Sequence, residues 1–505
     1  MSVSPQQQSA DRSHQHDNRW IILVIIATAQ LMVVLDATIV NIALPSAQHD
    51  LGFADNQRQW IVTAYALAFG SLLLLGGRIG DLFGRKWAFI GGLIGFAVAS
   101  AIGGAAENFS VLVTSRALQG VFGALLAPAA LSTLANAFQD PRERGRAFGV
   151  FGAVAGGGGA VGLLLGGVLT EYASWRWCFY VNLAFAAVAV AGGLFYLRNE
   201  SQAVRPKLDL VGVLLAGTGL FGIVYGFSRA ESDGWSDTGT IISLVAGFVL
   251  LAAFVFSQTR VAHPLLPLRI VLDRNRGGAY LSVGLTAIAI FGIFLFLTYY
   301  LQLTKGFTPV KTGLAFLPMI AGILFSSTLA SVKLLPIVGA RRLITTGMTF
   351  GAIGLFYLSR ISADSSYVAH ILPALPLMGL GFGLIFSPAI NTATAGVART
   401  DAGIASAMVN TMQQVGGSIG TALLSTIAAG ATTSYIKAHG ATPAVAIDAA
   451  VHGYRVAFTV AGGIFVFGAI TAFSLIQAHV RAVEEAPAAP GTEPAPVADP
   501  ALALD

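Results

Sequence analysis

Two charged residues lie where charge is least tolerated: Asp36 inside the apolar run from Trp20 to Leu44, and Arg116 inside a second run over 111–137. An ionised carboxylate at mid-membrane depth costs about 2.5–3.5 kcal/mol on insertion scales, so an acidic residue there is functional by default. A carboxyl at that depth can take a proton from one side and release it on the other as its hydration changes; the plainer alternative is a structural hydrogen bonder. Arg116 cannot titrate with it, because a guanidinium keeps its charge at any physiological pH. It lies roughly 9 Å below the end of its span at helical rise, a depth similar to that of Asp36. Gln119, Gly120 and Gly123 follow at i+3, i+4 and i+7 on the same helix face, where small neighbours let another helix approach. For Arg116 the alternative is a static anchor on backbone carbonyls.

Other polar and aromatic side chains in apolar runs are candidates for lining a substrate cavity: Met32, Asn41, Tyr65, Gln119, Tyr299, Tyr300, Gln302, Asn391, Asn410, Gln413 and Gln414. Gly158, Gly162 and Gly166 repeat every fourth residue, with Gly167 beside them, and make a face suited to close helix packing. Gly157-x-Gly159-x-x-Gly162 imitates a dinucleotide fingerprint, but it lies in an apolar run with no strand before it. None of the six lysines follows a glycine, which excludes a Gly-Lys-Ser/Thr phosphate loop. The single cysteine, Cys178, rules out an intrachain disulfide, and no metal site or nucleophile–base constellation is expected.

The elements that must position these residues follow from composition. The 505-residue chain is 55% hydrophobic and 10% charged, where a soluble domain carries about 25% charged residues, so its surface must face lipid. The net charge of +5 is scattered in short clusters, which is not a nucleic-acid footprint. Apolar segments near 20–44, 60–77, 88–106, 111–137, 147–170, 176–197, 208–228, 239–258, 277–302, 312–334, 343–360, 367–391, 403–430 and 454–478 predict about fourteen membrane helices in an all-α fold. The stretch around 432–453 is expected to be one of the longer intervals between them. An even count puts both termini on one side. Arg78, Arg85, Lys86, Arg142, Arg144, Arg146, Arg341 and Arg342 fall on that side, which the positive-inside rule makes cytoplasmic. Gly84-Arg85-Lys86 after the second span has a counterpart in Gly339-Ala340-Arg341-Arg342 after the tenth, a weak repeat consistent with two related halves. The expected organisation is a cytoplasmic tail at 1–19, a six-helix half at 20–198, a linker with two inserted helices at 199–260, a second six-helix half at 261–480 and a disordered Pro/Ala tail at 481–505.

Taken in order, the motifs resemble the fourteen-span drug:proton antiporter family of the major facilitator superfamily, over essentially residues 20–480. The carriers of the resemblance are Leu35-Asp36-Ala37-Thr38-Ile39-Val40-Asn41-Ile42-Ala43-Leu44-Pro45 in the first span and Gly77-Arg78-Ile79-Gly80-Asp81-Leu82-Phe83-Gly84-Arg85-Lys86 after the second. Arg116-Ala117-Leu118-Gln119-Gly120 and Trp175-Arg176-Trp177-Cys178-Phe179-Tyr180-Val181-Asn182 follow, with Tyr300-Leu301-Gln302 and Gln414-Val415-Gly416-Gly417 in the second half. The resemblance implies that Asp36 carries the proton, that Arg116 modulates it, and that Gly77, Asp81, Gly84, Arg85 and Lys86 form a cytoplasmic gating loop with Asp81 and Arg85 as a charge latch. It implies an exporter of hydrophobic or amphipathic drugs, dyes or antibiotics by alternating access. Its driving force would be the proton gradient, with no cofactor and no obligatory protein partner. Gly162-Leu163-Leu164-Leu165-Gly166-Gly167 has Leu163 where the family's antiporter motif has proline. That departure keeps open an importer, or a transporter of a lipid or specific metabolite, as the alternative; a sensor or scaffold that retains the same body is a third reading.

Overall fold

The structure, a computed structural model, describes residues 5–54, 57–138, 140–197, 209–261, 264–395, 397, 402–440 and 442–477. Among the described residues, fourteen long helices make up the body. They are α1 (Pro5–Leu51), α2 (Arg58–Phe83), α3 (Arg85–Gly104), α4 (Phe109–Ala137), α5 (Pro141–Tyr172), α6 (Trp177–Tyr196), α7 (Leu210–Asp233) and α8 (Thr238–Gln258), then α9 (Arg274–Tyr299), α10 (Pro309–Leu329), α11 (Ala340–Leu358), α12 (Ala374–Thr394), α13 (Ala402–His439) and α14 (Pro443–Leu475). Each overlaps one of the fourteen expected spans, with ends that differ by several residues. Eleven helical segments among the described residues are long and apolar enough to cross a membrane; α2, α5 and α11 are the other long helices.

Capping residues in the short turns set the boundaries. Side chains of Asn108, Asp209, Asp237, Asp273, Thr308 and Thr442 each accept from a backbone N–H in the first turn of α4, α7, α8, α9, α10 and α14, relieving donors that a helix start leaves unpaired. The Thr240 amide and then the Arg229 guanidinium hold the Asp237 carboxyl below the usual carboxylate range. Gly84 alone separates α2 from α3, at φ +93° and ψ 138°; Gly339 precedes α11 at φ +81° and ψ 155°. Both conformations lie in a region essentially reserved for glycine, so the sequence repeat at these loops is also a repeat of backbone geometry.

Helix pairing repeats as well. In the first half α2 and α3 pack on α4, α1 on α5, and α1 and α3 on α6; in the second α10 and α11 pack on α12, α9 on α13, and α9 and α11 on α14. The inserted helices stand outside this scheme. α7 packs on α8, α2 and α13, and α8 leaves Ile242, Phe248 and Val249 more than half exposed, which suits a lipid-facing surface.

The two halves are joined at the end of the bundle away from the termini, called the distal end here. The Gln302 amide donates to the Ile42 carbonyl at 3.2 Å, and Glu171 accepts from the Val310 amide at 2.9 Å. The Arg58 guanidinium lies 4.3 Å from the centre of the Tyr299 ring. Gln302 belongs to a π-helical turn, Tyr300–Thr304, that continues α9.

The stretch expected as a longer interval near 432–453 is instead almost wholly helical, with α13 running to His439 and α14 starting at Pro443. Hydropathy reports where a helix leaves the apolar layer and not where it ends. Here the Tyr435 ring stacks on His439 at 4.1 Å and lies tilted 5.1 Å from His452, and Gly440 at φ +87° makes the turn. Likewise α1 begins at Pro5, inside the expected tail. The expected disordered tail at 481–505 lies outside the described residues.

Candidate functional site

Asp36 and Arg116 meet. The carboxylate Oδ2 accepts from Arg116 Nη1 at 2.5 Å, and Oδ1 accepts from Gln119 Nε2 and Asn182 Nδ2, both at 2.8 Å. Arg116 also donates to Gln119 Oε1 at 2.6 Å and through Nε to the Ile61 carbonyl at 3.1 Å, and its guanidinium lies 4.4 Å from the centre of the Tyr65 ring. Ser100 Oγ accepts from Gln119 Nε2 at 2.6 Å and from Asn182 Nδ2 at 3.3 Å. Asp36, Ser100, Gln119 and Asn182 are fully buried and Arg116 is 2% exposed. The result is a closed polar knot drawn from α1, α2, α3, α4 and α6, inside the first half.

All three partners of Asp36 are N–H donors, the set that an acceptor-only carboxylate takes. Such a pair is strongly coupled, because removing either partner leaves a buried charge without its counter-charge. Arg116 nevertheless has alternative support from two oxygens and the Tyr65 ring, so it can remain held when the carboxylate is neutralised. No sequence signal marked Ser100, a lone hydroxyl in an apolar span. Asn182 stood within a recognised motif without a role, and Gln119 was expected at the cavity and instead belongs to this knot.

Glycine faces bring the helices close enough. On α5, a side chain at Gly158 would meet Val34 and Leu31, one at Gly162 would meet Thr38 and the Leu35 Cα, and one at Gly166 would meet Ile39, so this face lies directly on α1 on both sides of Asp36. Gly167 turns instead to α10, where a Cβ would fall 2.8 Å from the Val310 Cα. Leu163, at the position of the motif proline, is fully buried, and its carbonyl lies 2.6 Å from where a Cβ on Gly313 of α10 would stand. α5 is thus wedged between α1 of its own half and α10 of the other, with no proline after Pro141 at its start. On α4, a Cβ at Gly120 would meet the Tyr65 carbonyl at 2.4 Å, so α2 comes close enough to set the Tyr65 ring against Arg116.

Of the expected gating loop, Gly77 faces Pro128 of α4, Gly84 makes the turn, Arg85 opens α3, and Lys86 donates to the Leu194 carbonyl at 2.8 Å. The side chain of Asp81 lies outside the described residues, and with it the expected latch to Arg85. The expected cavity residues do not converge on one chamber. Met32 and Tyr65 are buried within the first half, and Asn41 folds back to the Ala37 carbonyl. Tyr299 and Gln302 belong to the distal contacts, while the Tyr300 hydroxyl donates to the Ser362 carbonyl at 2.7 Å inside the second half. Asn391 is exposed near the end of α12, and Asn410, Gln413 and Gln414 are half-buried on α13. Side chains as long as Tyr and Gln reach helix–helix contacts from many positions, so their type alone did not separate a cavity wall from an interface.

Comparison with known proteins gives a consistent result. The family model described as the Major Facilitator Superfamily matches residues 26–421. A puromycin resistance protein of Streptomyces alboniger is 51% identical over 469 residues, 92% of this chain and 93% of that protein. A cephamycin export protein of Amycolatopsis lactamdurans is 38% identical over 418 residues, 81% of this chain and 85% of that protein. Among solved structures, an auto-inhibited POT family peptide transporter superposes with a TM-score of 0.65 at 17% identity, covering 91% of this chain and 96% of that one; this likeness concerns the fold.

Proposed function

The chain belongs to the Major Facilitator Superfamily, and on that basis we propose that it exports amphipathic small molecules of the antibiotic type from a bacterial cell in exchange for protons. The observation that carries the reading is the occluded Asp36–Arg116 pair, a proton-accepting group held at a junction of five helices. Resistance and export relatives that cover most of the chain support the direction and the substrate class. With the Lys and Arg bias placing both termini in the cytoplasm, the distal end is the outer one. The contacts of Gln302, Glu171 and Arg58 then close the molecule to the outside in this conformation.

Protonating Asp36 removes its attraction for Arg116 and frees Oδ1 from its need for the Gln119 and Asn182 donors. α1 is then free to move against α5, on which it rests through the glycine face. The halves, 20–198 and 261–480, rock with 199–260 between them. Proton and substrate need only favour opposite states, and their differential affinities for those states set the coupling. No cofactor is invoked; the proton gradient drives the cycle.

The test is puromycin accumulation in membrane vesicles of known orientation. Everted vesicles with an acidified interior should accumulate puromycin and lose it on addition of a protonophore. Accumulation only in right-side-out vesicles would make the protein an importer, the alternative left open by Leu163. Absence of gradient-dependent movement in both orientations would overturn proton-driven puromycin transport altogether.

A further inference from the structure

Away from the Asp36 knot, the seam where α2 of the first half meets α13 of the second holds buried polar atoms with no hydrogen-bond partner among the described residues: Thr63 Oγ1 on α2, and Thr411 Oγ1, Gln414 Oε1 and Ser418 Oγ on α13. Thr63 and Ser418 are 1% exposed and Thr411 is 7% exposed. Residues 411, 414 and 418 stand at i, i+3 and i+7, so they share one face of α13 and span about 10 Å along it. That face meets α2, because a side chain on Gly70 would touch the Gln414 Cβ at 3.1 Å. Thr63 is seven residues from Gly70, on the same side of α2.

These hydroxyls have an easy alternative that they do not take. On the same helix, Thr421 returns its hydroxyl to the Gly417 carbonyl four residues back, at 2.8 Å. A buried polar group left unpaired is destabilising, so several on one seam between the two halves are available to an incoming hydrogen-bonding partner.

The inserted helix α7 covers this seam. Ser228 Oγ accepts from Gln59 Nε2 of α2 at 3.1 Å, and the Phe227 carbonyl accepts from the Thr426 hydroxyl of α13 at 2.6 Å. Leu67, Val224 and Ala422 form a small buried core between the three helices. A polar seam open to hydrocarbon would gain nothing from lipid tails, whereas one walled by α7 keeps its donors and acceptors for a polar ligand.

We infer that the α2–α13 seam, walled from the bilayer by α7, is the surface that recognises the hydrogen-bonding groups of an amphipathic substrate. The inference rests on the export reading above and deepens it. Gln414 Oε1 calls for an N–H or O–H donor on the substrate, and the hydroxyls of Thr63, Thr411 and Ser418 take either a donor or an acceptor. The inserted pair supplies the lateral wall of this surface.

The experiment compares wild type with a Thr411→Val/Ser418→Ala double variant in proteoliposomes, using puromycin, which bears N–H and O–H groups, and tetraphenylphosphonium, which bears none. Each neutral hydrogen bond is worth about two- to tenfold in affinity. The puromycin KM should therefore rise about tenfold with kcat within twofold, the tetraphenylphosphonium KM should stay unchanged, and the melting temperature should not fall. Equal changes for both probes, no change for either, or a lowered melting temperature accompanied by loss of both activities would make the seam structural and overturn the inference. A folded wild type that moves neither probe would instead overturn the export reading, and is separable because the variants then have no activity to alter.

Discussion

Replacing Asp36 with asparagine keeps the shape of the side chain and removes its charge, and the surroundings allow the consequence to be worked out. Arg116 Nη1 points at one carboxylate oxygen, and Gln119 Nε2 and Asn182 Nδ2 point at the other. Whichever way the replacement amide is turned, its NH2 group faces an N–H donor, so at least one hydrogen bond becomes a repulsion. The Arg116 guanidinium, 2% exposed, is left without its counter-charge. Breaking one side of a buried pair costs about 3–5 kcal/mol, so Asp36→Asn and Arg116→Met should each destabilise by about that amount. The double variant removes both charges and should show a coupling energy of about 2–3 kcal/mol relative to the sum of the singles. Unfolding in mixed dodecylmaltoside–SDS micelles, followed by circular dichroism, measures the three variants against wild type. A double variant that loses the full sum of the single losses would refute the reasoning, because the two charges would then not be supporting each other.

Gly84→Ala and Gly339→Ala should each destabilise by about 1–3 kcal/mol, since both glycines hold positive-φ conformations that side chains resist; equal losses in the same unfolding assay would extend the repeat from geometry to energetics. Gly162→Val should separate α1 from α5 beside Asp36, costing about 1–3 kcal/mol and impairing puromycin transport. Gly463→Ala, which meets nothing within 4 Å, should change neither, and matching behaviour of these two variants would contradict the packing argument. Asp237 has its carboxyl held below the usual range by the Thr240 amide and Arg229. Its folded value is therefore lower than its unfolded one, and its contribution to the α7–α8 turn is complete above about pH 4 and fades as pH falls through the folded value. Amide exchange at Thr240, corrected for the intrinsic pH dependence, should lose protection at pH 3 relative to pH 5, and constant protection would remove Asp237 from the cap.

The membrane helices were legible because a span of about twenty apolar residues is an additive signal. Asp36 and Arg116 stood out for the converse reason, as charges in runs that have almost none. Their pairing was foreshadowed by similar depth, but depth does not fix rotation about a helix axis, so Ser100 and the direction of Asn182 became visible only with the helices assembled. That α5 would be closely approached was readable from Gly158, Gly162 and Gly166, but not that α1 is the helix that approaches it. The divergence of Gly167 toward α10 was not, because it depends on how the two halves meet. The same limit explains the cavity: Tyr300 and Gln302 are near neighbours in sequence, yet one anchors inside its own half and the other reaches Ile42 across the distal contact.

The most direct test of proton exchange through Asp36 is lumenal acidification in proteoliposomes loaded with puromycin and the pH dye pyranine, then diluted into puromycin-free buffer at equal pH. Puromycin leaving through the wild-type protein should bring protons in and acidify the lumen, while the Asp36→Asn/Arg116→Met protein, folded and still able to bind puromycin, should give no acidification. Equal acidification by the two proteins, or puromycin efflux from wild type with no change in lumenal pH, would contradict proton exchange through this carboxylate.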